Sequence, residues 1–361
     1  MQFSVSKSAL VQALALASRA IEKRTTIPIL GNLKLEAGSA FLTVTGTDLE
    51  TALSVRVPAD VREEGATTIP GAKLYGYVKL LPEGAVKFKL DTNQWTTVTS
   101  GKSRMKIGGT AADTFPERPP EPEVAFTVPA SEFLALVNRT KLAISAEASR
   151  FTLNGALMEC KGGRLVMVAT DGHRLAYASR ELEGVEFSVL IPRNAMGHIA
   201  TLTEGVEQLA ISQDENHLFF RAGQAVLISR KLAGNFPDYK RVLPADLPNV
   251  VTLKRAELSS AISRVAQFAD ERSHAIRLTL KAGGLEVFSS SVETGESSES
   301  VECEYSGDEV EVGYNASYLQ EFLTVLSMES VTFHLKDAKS AGELRAQGSD
   351  DYRYIVMPMR I

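Results

Sequence analysis

The pattern in this 361-residue chain best suited to chemistry is Thr170-Asp171-Gly172-His173-Arg174-Leu175. An aspartate two residues from a histidine can act as an acid–base pair, with the carboxylate orienting the imidazole for proton transfer. That use needs both side chains on one side of a regular strand, and Gly172 between them signals a turn. A hydrolase would also need a nucleophile or a metal in the same cleft. The sequence has no Gly-x-Ser-x-Gly elbow. It has no His-Glu-x-x-His pair and no Gly-x-x-x-x-Gly-Lys-Ser/Thr phosphate loop. The remaining histidines (His198, His217, His274 and His334) are scattered. The two cysteines, Cys160 and Cys303, sit in separate strand-like runs and fit small core or edge residues better than a disulfide or a metal pair. These residues specify no catalytic set, no metal and no cofactor. A hydrolase built on Asp171 and His173 is the rival reading. The better one is a turn held by an aspartate, or the wall of a binding pocket.

A second unusual segment is the C-terminal Tyr354-Ile355-Val356-Met357-Pro358-Met359-Arg360-Ile361. Chain ends are usually polar and frayed, whereas this one is largely apolar. It reads either as a last edge strand tucked into the core or as one wall of an adaptable apolar groove, since thioethers conform to different partners.

The elements that position these segments recur three times. Phe3-Ser4-Val5, Phe126-Thr127-Val128 and Val251-Thr252-Leu253 are equivalent, as are Leu30, Leu153 and Leu278. Pro70 recurs at Pro192. Phe115-Pro116 recurs at Phe236-Pro237, and Met357-Pro358 fills the same slot. A repeat this long is a domain rather than a solenoid unit.

Each repeat reads as a short strand, an amphipathic helix, several strands, a second helix and more strands. The first helices carry Leu10, Leu14, Ala17 and Ile21 after a capping Ser6; Phe133, Leu136 and Val137 after Ser131; and Leu258, Ala261, Ile262 and Val265. The second helices are predicted at 72–81, 193–203 and 315–328, the first of them weakened by Gly76. Alternating strands at Phe41–Thr45, Arg164–Val168 and Leu285–Ser289 follow matching glycine turns. The fold class is α+β: antiparallel sheets, with two helices per repeat covering one face. Proline-rich 115–123 and the segment Leu243–Asn249 mark boundaries. They give domains at 1–120, 121–246 and 247–361.

Hydrophobic residues make up 44% of the chain and charged residues 23%, as in soluble globular proteins. No apolar run approaches the length of a membrane span. The N-terminal residues show no export signal, so a reducing cytoplasm is the expected compartment. The net charge of −5 argues against a nucleic-acid binder on the average, but the distribution is uneven. The six predicted helical segments hold 14 basic and 7 acidic residues, a net +7, which leaves −12 for the rest. Helices gathered on one surface would line it for a polyanion, through phosphate contacts without base readout.

Several long motifs resemble one family. They are Thr170–Leu175, Phe236-Pro237-Asp238-Tyr239 followed by Arg241-Val242-Leu243-Pro244, Pro28-Ile29-Leu30-Gly31-Asn32-Leu33, Gly46-Thr47-Asp48-Leu49-Glu50, and Met357-Pro358-Met359-Arg360. Together they are similar to the bacterial DNA polymerase III beta subunit, the sliding clamp, and the likeness runs the length of the chain.

The resemblance implies a DNA clamp fold: a head-to-tail homodimer forming a six-domain ring, helices inside and sheets outside. Such a ring encircles double-stranded DNA and tethers polymerase to it without catalysis, cofactor or membrane. Lys23, Arg24, Lys73 and Arg150 are the implied DNA contacts. Leu153, Thr170, Gly172, His173, Arg174, Leu175, Pro237, Arg241, Val242, Val356, Met357, Pro358, Met359 and Arg360 would form a pocket. It would take a short peptide from the replicative polymerase alpha subunit, the clamp loader, repair polymerases or mismatch-repair proteins. One departure stands out: relatives can carry Ser where Ala341 lies. Met105, Ile107 and Phe268 are the implied dimer contacts. Lys102, Arg104 and Lys106 would face acidic residues such as Glu302 and Glu304. A peptide-binding scaffold that never surrounds DNA is the remaining alternative.

Overall fold

The computed structural model describes residues 1–22, 26–292 and 295–360. Its helices are α1 (Lys7–Ala17), α2 (Gly71–Leu80), α3 (Ala130–Lys141), α4 (Arg193–Leu202), α5 (Arg255–Val265) and α6 (Ala316–Val325). All paired strands are antiparallel. The chain forms two compact units: 1–134 with 194–231, and 135–193 with 232–361. The middle third of the sequence is thus shared between them.

Sheet pairing explains that division. In the first unit, Ala225–Arg230 pairs with Thr51–Pro58 in the register Leu227↔Leu53. This joins strands from two repeats into one eight-stranded sheet. In the second unit, Arg174–Glu181 pairs with Tyr352–Val356 in the register Ala176↔Tyr354, again completing eight strands. Each seam satisfies two edges that would otherwise present unpaired N–H and C=O groups. Each unit also has a smaller sheet. One of five strands runs Asp60–Glu63, Gln2–Ser6, Ala85–Leu90, Trp95–Ser100, Ser103–Gly108. One of four runs Gly295–Glu302, Gly284–Ser291, Ala275–Lys281, Val310–Asn315.

The helices follow the predicted periodicity. In α1, Leu10, Ala13, Leu14 and Ala17 are buried, and the Ala9 N–H donates to Ser6 Oγ (3.3 Å), which caps the helix. A Cβ at Gly46 would lie 2.2 Å from the Ala17 carbonyl oxygen, so that strand can approach α1 only with glycine there. Three helix expectations shift. α2 runs through Gly76, because buried Leu74 and Val78 hold it down. α3 begins at Ala130, ahead of the expected Ser131 cap. α6 stops at Val325, and Asn315 lies outside it as the cap, accepting from the N–H groups of Ser317 and Tyr318.

One buried charge stands close to the second seam. Arg345 and Arg353 face each other as a like-charged cross-strand pair, which alone destabilises a sheet. Glu343, fully buried, accepts hydrogen bonds from both (Arg345 Nε, 2.8 Å; Arg353 Nη2, 3.0 Å). Burial by itself would raise its carboxyl, but these arginines outweigh it and hold it below the ordinary value of 4.5. We expect Glu343→Ala to lose about 3–5 kcal/mol, because it leaves Arg353 without a carboxylate and Arg345 with Asp350 alone. The loss should appear as a lower urea midpoint. The stabilisation from a depressed carboxyl is complete above the unfolded-state value and fades as pH falls through the folded one. Glu343→Gln should therefore flatten the acid-side loss of stability.

Candidate peptide-binding groove

The turn between strands Arg164–Thr170 and Arg174–Glu181 is held almost wholly by its own side chains. Thr170 Oγ1 donates to the Arg174 carbonyl (2.6 Å), and the Gly172 N–H donates to Thr170 Oγ1 (3.1 Å). Asp171 Oδ1 accepts from the N–H groups of His173 (2.9 Å) and Arg174 (3.0 Å), and Oδ2 from Arg174 Nε (3.0 Å). The carboxylate is therefore a structural acceptor and does not orient the His173 ring. His173 is exposed. Gly172 has φ +89°, which glycine adopts without strain, and a Cβ there would sit 3.0 Å from Arg150 Nη1.

Arg174 is buried inside this frame. Its guanidinium also bonds Glu321 (2.7 Å) and the Tyr354 hydroxyl (3.2 Å), and lies over the Tyr318 ring at 4.2 Å. Two carboxylates and two aromatic rings thus fix one cation, and through it the start of the strand that carries Leu175. Arg150, implied as a DNA contact, also touches this turn. Its Nη1 donates to the Asp171 carbonyl (2.7 Å) and its Nε pairs with Glu147 (2.8 Å). Its own carbonyl accepts from the Leu153 N–H (2.8 Å). The implied groove residues Leu153, Thr170, Gly172, His173 and Arg174 therefore meet around a single hydrogen-bonded loop.

The chain terminus divides into two parts. Through Val356 it is core strand, with Arg174 opposite Val356 and Leu175 opposite Ile355. Beyond that it lies on the surface: the Met357 N–H donates to the His173 carbonyl (2.8 Å) and the Met359 N–H to the Gly313 carbonyl (2.8 Å). Met357 is exposed, Pro358 and Met359 are half-buried, and Arg360 is exposed. The core-strand reading describes the tail through Val356, and Met357–Arg360 lie at the surface beside the turn.

The segment carrying Pro237, Arg241 and Val242 is pinned by Tyr239. That ring packs with Leu157, Val166, Val168, Leu175, Leu190 and Ile355, while its hydroxyl donates to Glu159 (2.6 Å). Burial, then the Glu159 carboxylate, push the phenol well above its usual value. Pro237, Arg241 and Val242 remain exposed, and Arg241 pairs with Asp238 (2.9 Å). Ala341 packs half-buried on the same apolar cluster. Sequence reasoning missed the Tyr318–Glu321–Tyr354 cage and the Gly313 contact. The one available signal was a lone acidic residue, Glu321, on an otherwise uncharged helix.

The first unit repeats the turn. Thr47 Oγ1 donates to the Thr51 carbonyl (2.8 Å), and Asp48 Oδ1 accepts from the N–H groups of Glu50 (3.0 Å) and Thr51 (2.6 Å). The Arg230 N–H bonds the Glu50 carbonyl (2.9 Å) as Met357 bonds His173. In place of Gly172 stands Leu49, with φ +76° and a side chain 48% exposed.

The basic helices differ in what their charges do. On α2, Lys73 and Lys79 are exposed and have no ion-pair partner among the described residues. Lys23 and Arg24 lie outside the described residues. On α5, Lys254 pairs with Glu257 (2.8 Å), and Arg264 binds both oxygens of Glu299 (2.7 Å each). Met105 and Ile107 are half-buried on Ser103–Gly108, an edge strand of the five-stranded sheet, and Phe268 is half-buried in the turn after α5.

Three tandem repeats of helix pairs and antiparallel sheets, without a catalytic set, define a protein of the DNA-clamp class. The chain belongs to the DNA polymerase III beta subunit family. Its N-terminal, central and C-terminal domain models match residues 1–119, 127–238 and 240–360. The chain is 35% identical to the beta sliding clamp of Pseudomonas aeruginosa and 33% identical to that of Escherichia coli K12, with 100% of each chain covered in both comparisons. A crystal structure of the DNA polymerase III subunit beta from P. aeruginosa superposes with a TM-score of 0.96 at 35% identity, covering 100% of both chains. The Bacillus subtilis sliding clamp does so with 0.96 at 25% identity, covering 100% of this chain and 99% of that one. The protein is a sliding clamp of a non-catalytic family.

Gly172→Ala tests the turn. Left-handed strain should cost about 1–2 kcal/mol, visible as a lower melting temperature. The added methyl should also displace Arg150, which a crystal structure of the variant would reveal.

Proposed function

We propose that two copies of the chain close head to tail into a ring around duplex DNA, each contributing three domains at 1–120, 121–246 and 247–361. The ring works by topology. A polymerase tied to it stays at high effective concentration near the primer end, while weak phosphate attraction permits sliding. Lys73, Lys23, Arg24 and Arg150 are the proposed DNA contacts, Arg150 from beside the turn whose carbonyl it also bonds. The observation that carries this reading is the threefold repeat with exposed helix lysines and no catalytic set, in a chain that matches sliding clamps end to end.

Closure would pair the edge strand Ser103–Gly108, bearing Met105 and Ile107, with Gly295–Glu302 of the other copy, near Phe268. Arg104 and Lys106 alternate with the apolar residues on the first edge, and Glu296 and Glu302 stand on the second, so the edges are complementary in charge. The groove around Gly172, Arg174, Val242 and Met357 would take a short peptide with apolar anchors. Its donors would be the polymerase alpha subunit, the clamp loader, repair polymerases and mismatch-repair proteins. The setting is the bacterial cytoplasm.

The decisive experiment loads the protein on nicked circular DNA. Retention should be lost once the circle is linearised, and equal retention on both forms would refute a topological link. A chain lacking residues 357–361 should stay dimeric by native mass measurement yet no longer bind polymerase. Normal polymerase binding would remove the groove assignment, and a monomer at micromolar concentration would remove the ring.

A further inference from the structure

The outward face of the five-stranded sheet in the first unit is cationic and carries the chain's single tryptophan. Its buried face holds Phe3, Val5, Val86, Phe88 and Val98. Alternation puts the intervening residues on the other side, where register aligns them in rows. One row is Asp60, Ser4, Lys87, Thr99 and Arg104; the next is Gln2, Lys89, Thr97 and Lys106. Arg62, beside the irregular pairing of Gln2 and Glu63, lines the same shallow depression of about 390 Å³ with Lys87, Lys89 and Arg104.

Among the described residues, none of Arg62, Lys87, Lys89 and Arg104 has a carboxylate within ion-pair distance. Lys106 alone is paired, with Asp91 at 3.5 Å. The acids in register with the two rows are Asp60 and, opposite Gln2, Glu63, whose carboxylate is taken by the Met1 amino group (3.0 Å). Trp95 lies on this face opposite Gly108, whose Cβ position is 3.7 Å from the ring. Lys106 stands 5.7 Å from its centroid, and the side chain is 44% exposed. Edge pairing with a second copy would use Arg104 and Lys106, but Arg62, Lys87 and Lys89 stand two strands or more from that edge.

We infer that this sheet face binds single-stranded nucleic acid, with phosphates on Arg62, Lys87, Lys89 and Arg104 and a base stacked on Trp95. A cationic track beside an exposed aromatic ring on an open sheet is what an unpaired strand needs. A duplex keeps its base faces inside its own stack and has none to offer Trp95. An acidic peptide would satisfy the cations but gives the ring no flat partner. Serine and threonine hydroxyls between the cations (Ser4, Thr97, Thr99) add neutral donors for phosphate oxygens. This site is separate from the α2 lysines and needs no closed ring.

The full chain provides its own probe, since all tryptophan emission comes from Trp95. Titration with an oligothymidylate of about 20 nucleotides at low salt should quench that emission, with a log–log salt slope of about 0.7 per phosphate engaged. By anisotropy of the labelled oligonucleotide, Lys87→Glu with Lys89→Glu should weaken binding at least about tenfold and flatten the slope by about 1.4. The gentler Lys87→Gln with Lys89→Gln should fall between. Trp95→Ala should weaken it about five- to 150-fold, and Trp95→Phe should retain most of it. Lys161→Glu, at an exposed lysine of the second unit, should change nothing. Three results would each overturn the site: loss on Lys73→Glu with the double variant unaffected, equal affinity and quenching with a duplex of the same length, or displacement by a poly-glutamate peptide of equal charge at equal concentration.

Discussion

The structure depends on strand pairing across repeat boundaries. Thr51–Pro58 and Ala225–Arg230 come from different repeats, as do Arg174–Glu181 and Tyr352–Val356, and each pair closes an eight-stranded sheet. An isolated repeat would expose those ladders to any passing edge. The second seam also places the candidate groove, because its register sets Arg174 opposite Val356 and brings Met357 to the His173 carbonyl. The candidate groove lies where the third repeat's last strand meets the second repeat's turn.

Charge tells a similar story of tertiary control. Composition along the chain locates a surplus of cations in helices, but only folding determines which remain free. Arg264 and Lys254 are neutralised by neighbours on their own unit, Arg174 is caged, and Arg150 bonds a turn carbonyl. Lys73, Lys79 and the sheet cations Lys87 and Lys89 stay unpaired among the described residues. A polyanion meets those, and not the sequence total.

Much of the architecture was legible because it rests on local rules. Ser6 caps α1 as its position suggests, the proline-rich 115–123 segment forms neither helix nor strand after Thr114, and the matching glycine turns precede the equivalent strands. The failures were nonlocal. Gly76 weakens a helix in isolation, but burial of Leu74 and Val78 overrides propensity. The bond from Arg150 to the Asp171 carbonyl, 21 residues away, had no local signal. The cage around Arg174 joins residues up to 180 apart, a distance at which no pattern in one sequence reports contact. Asp171 was read correctly as a turn residue, since Gly172 after it forbids the regular strand that an acid–base pair would need.

The duplicated turn has a consequence for valency. The same hydrogen-bond frame is built at Thr47–Thr51 and at Thr170–Arg174, but the left-handed position holds Leu49 in one and Gly172 in the other. Where the glycine lets Arg150 approach, the leucine puts a half-exposed side chain, on a torsion that disfavours it by about 1–2 kcal/mol. On the function proposed above, only the second unit's copy of the turn offers a groove, so partners docking there would have to take turns on a given chain, in an order set by affinity and abundance.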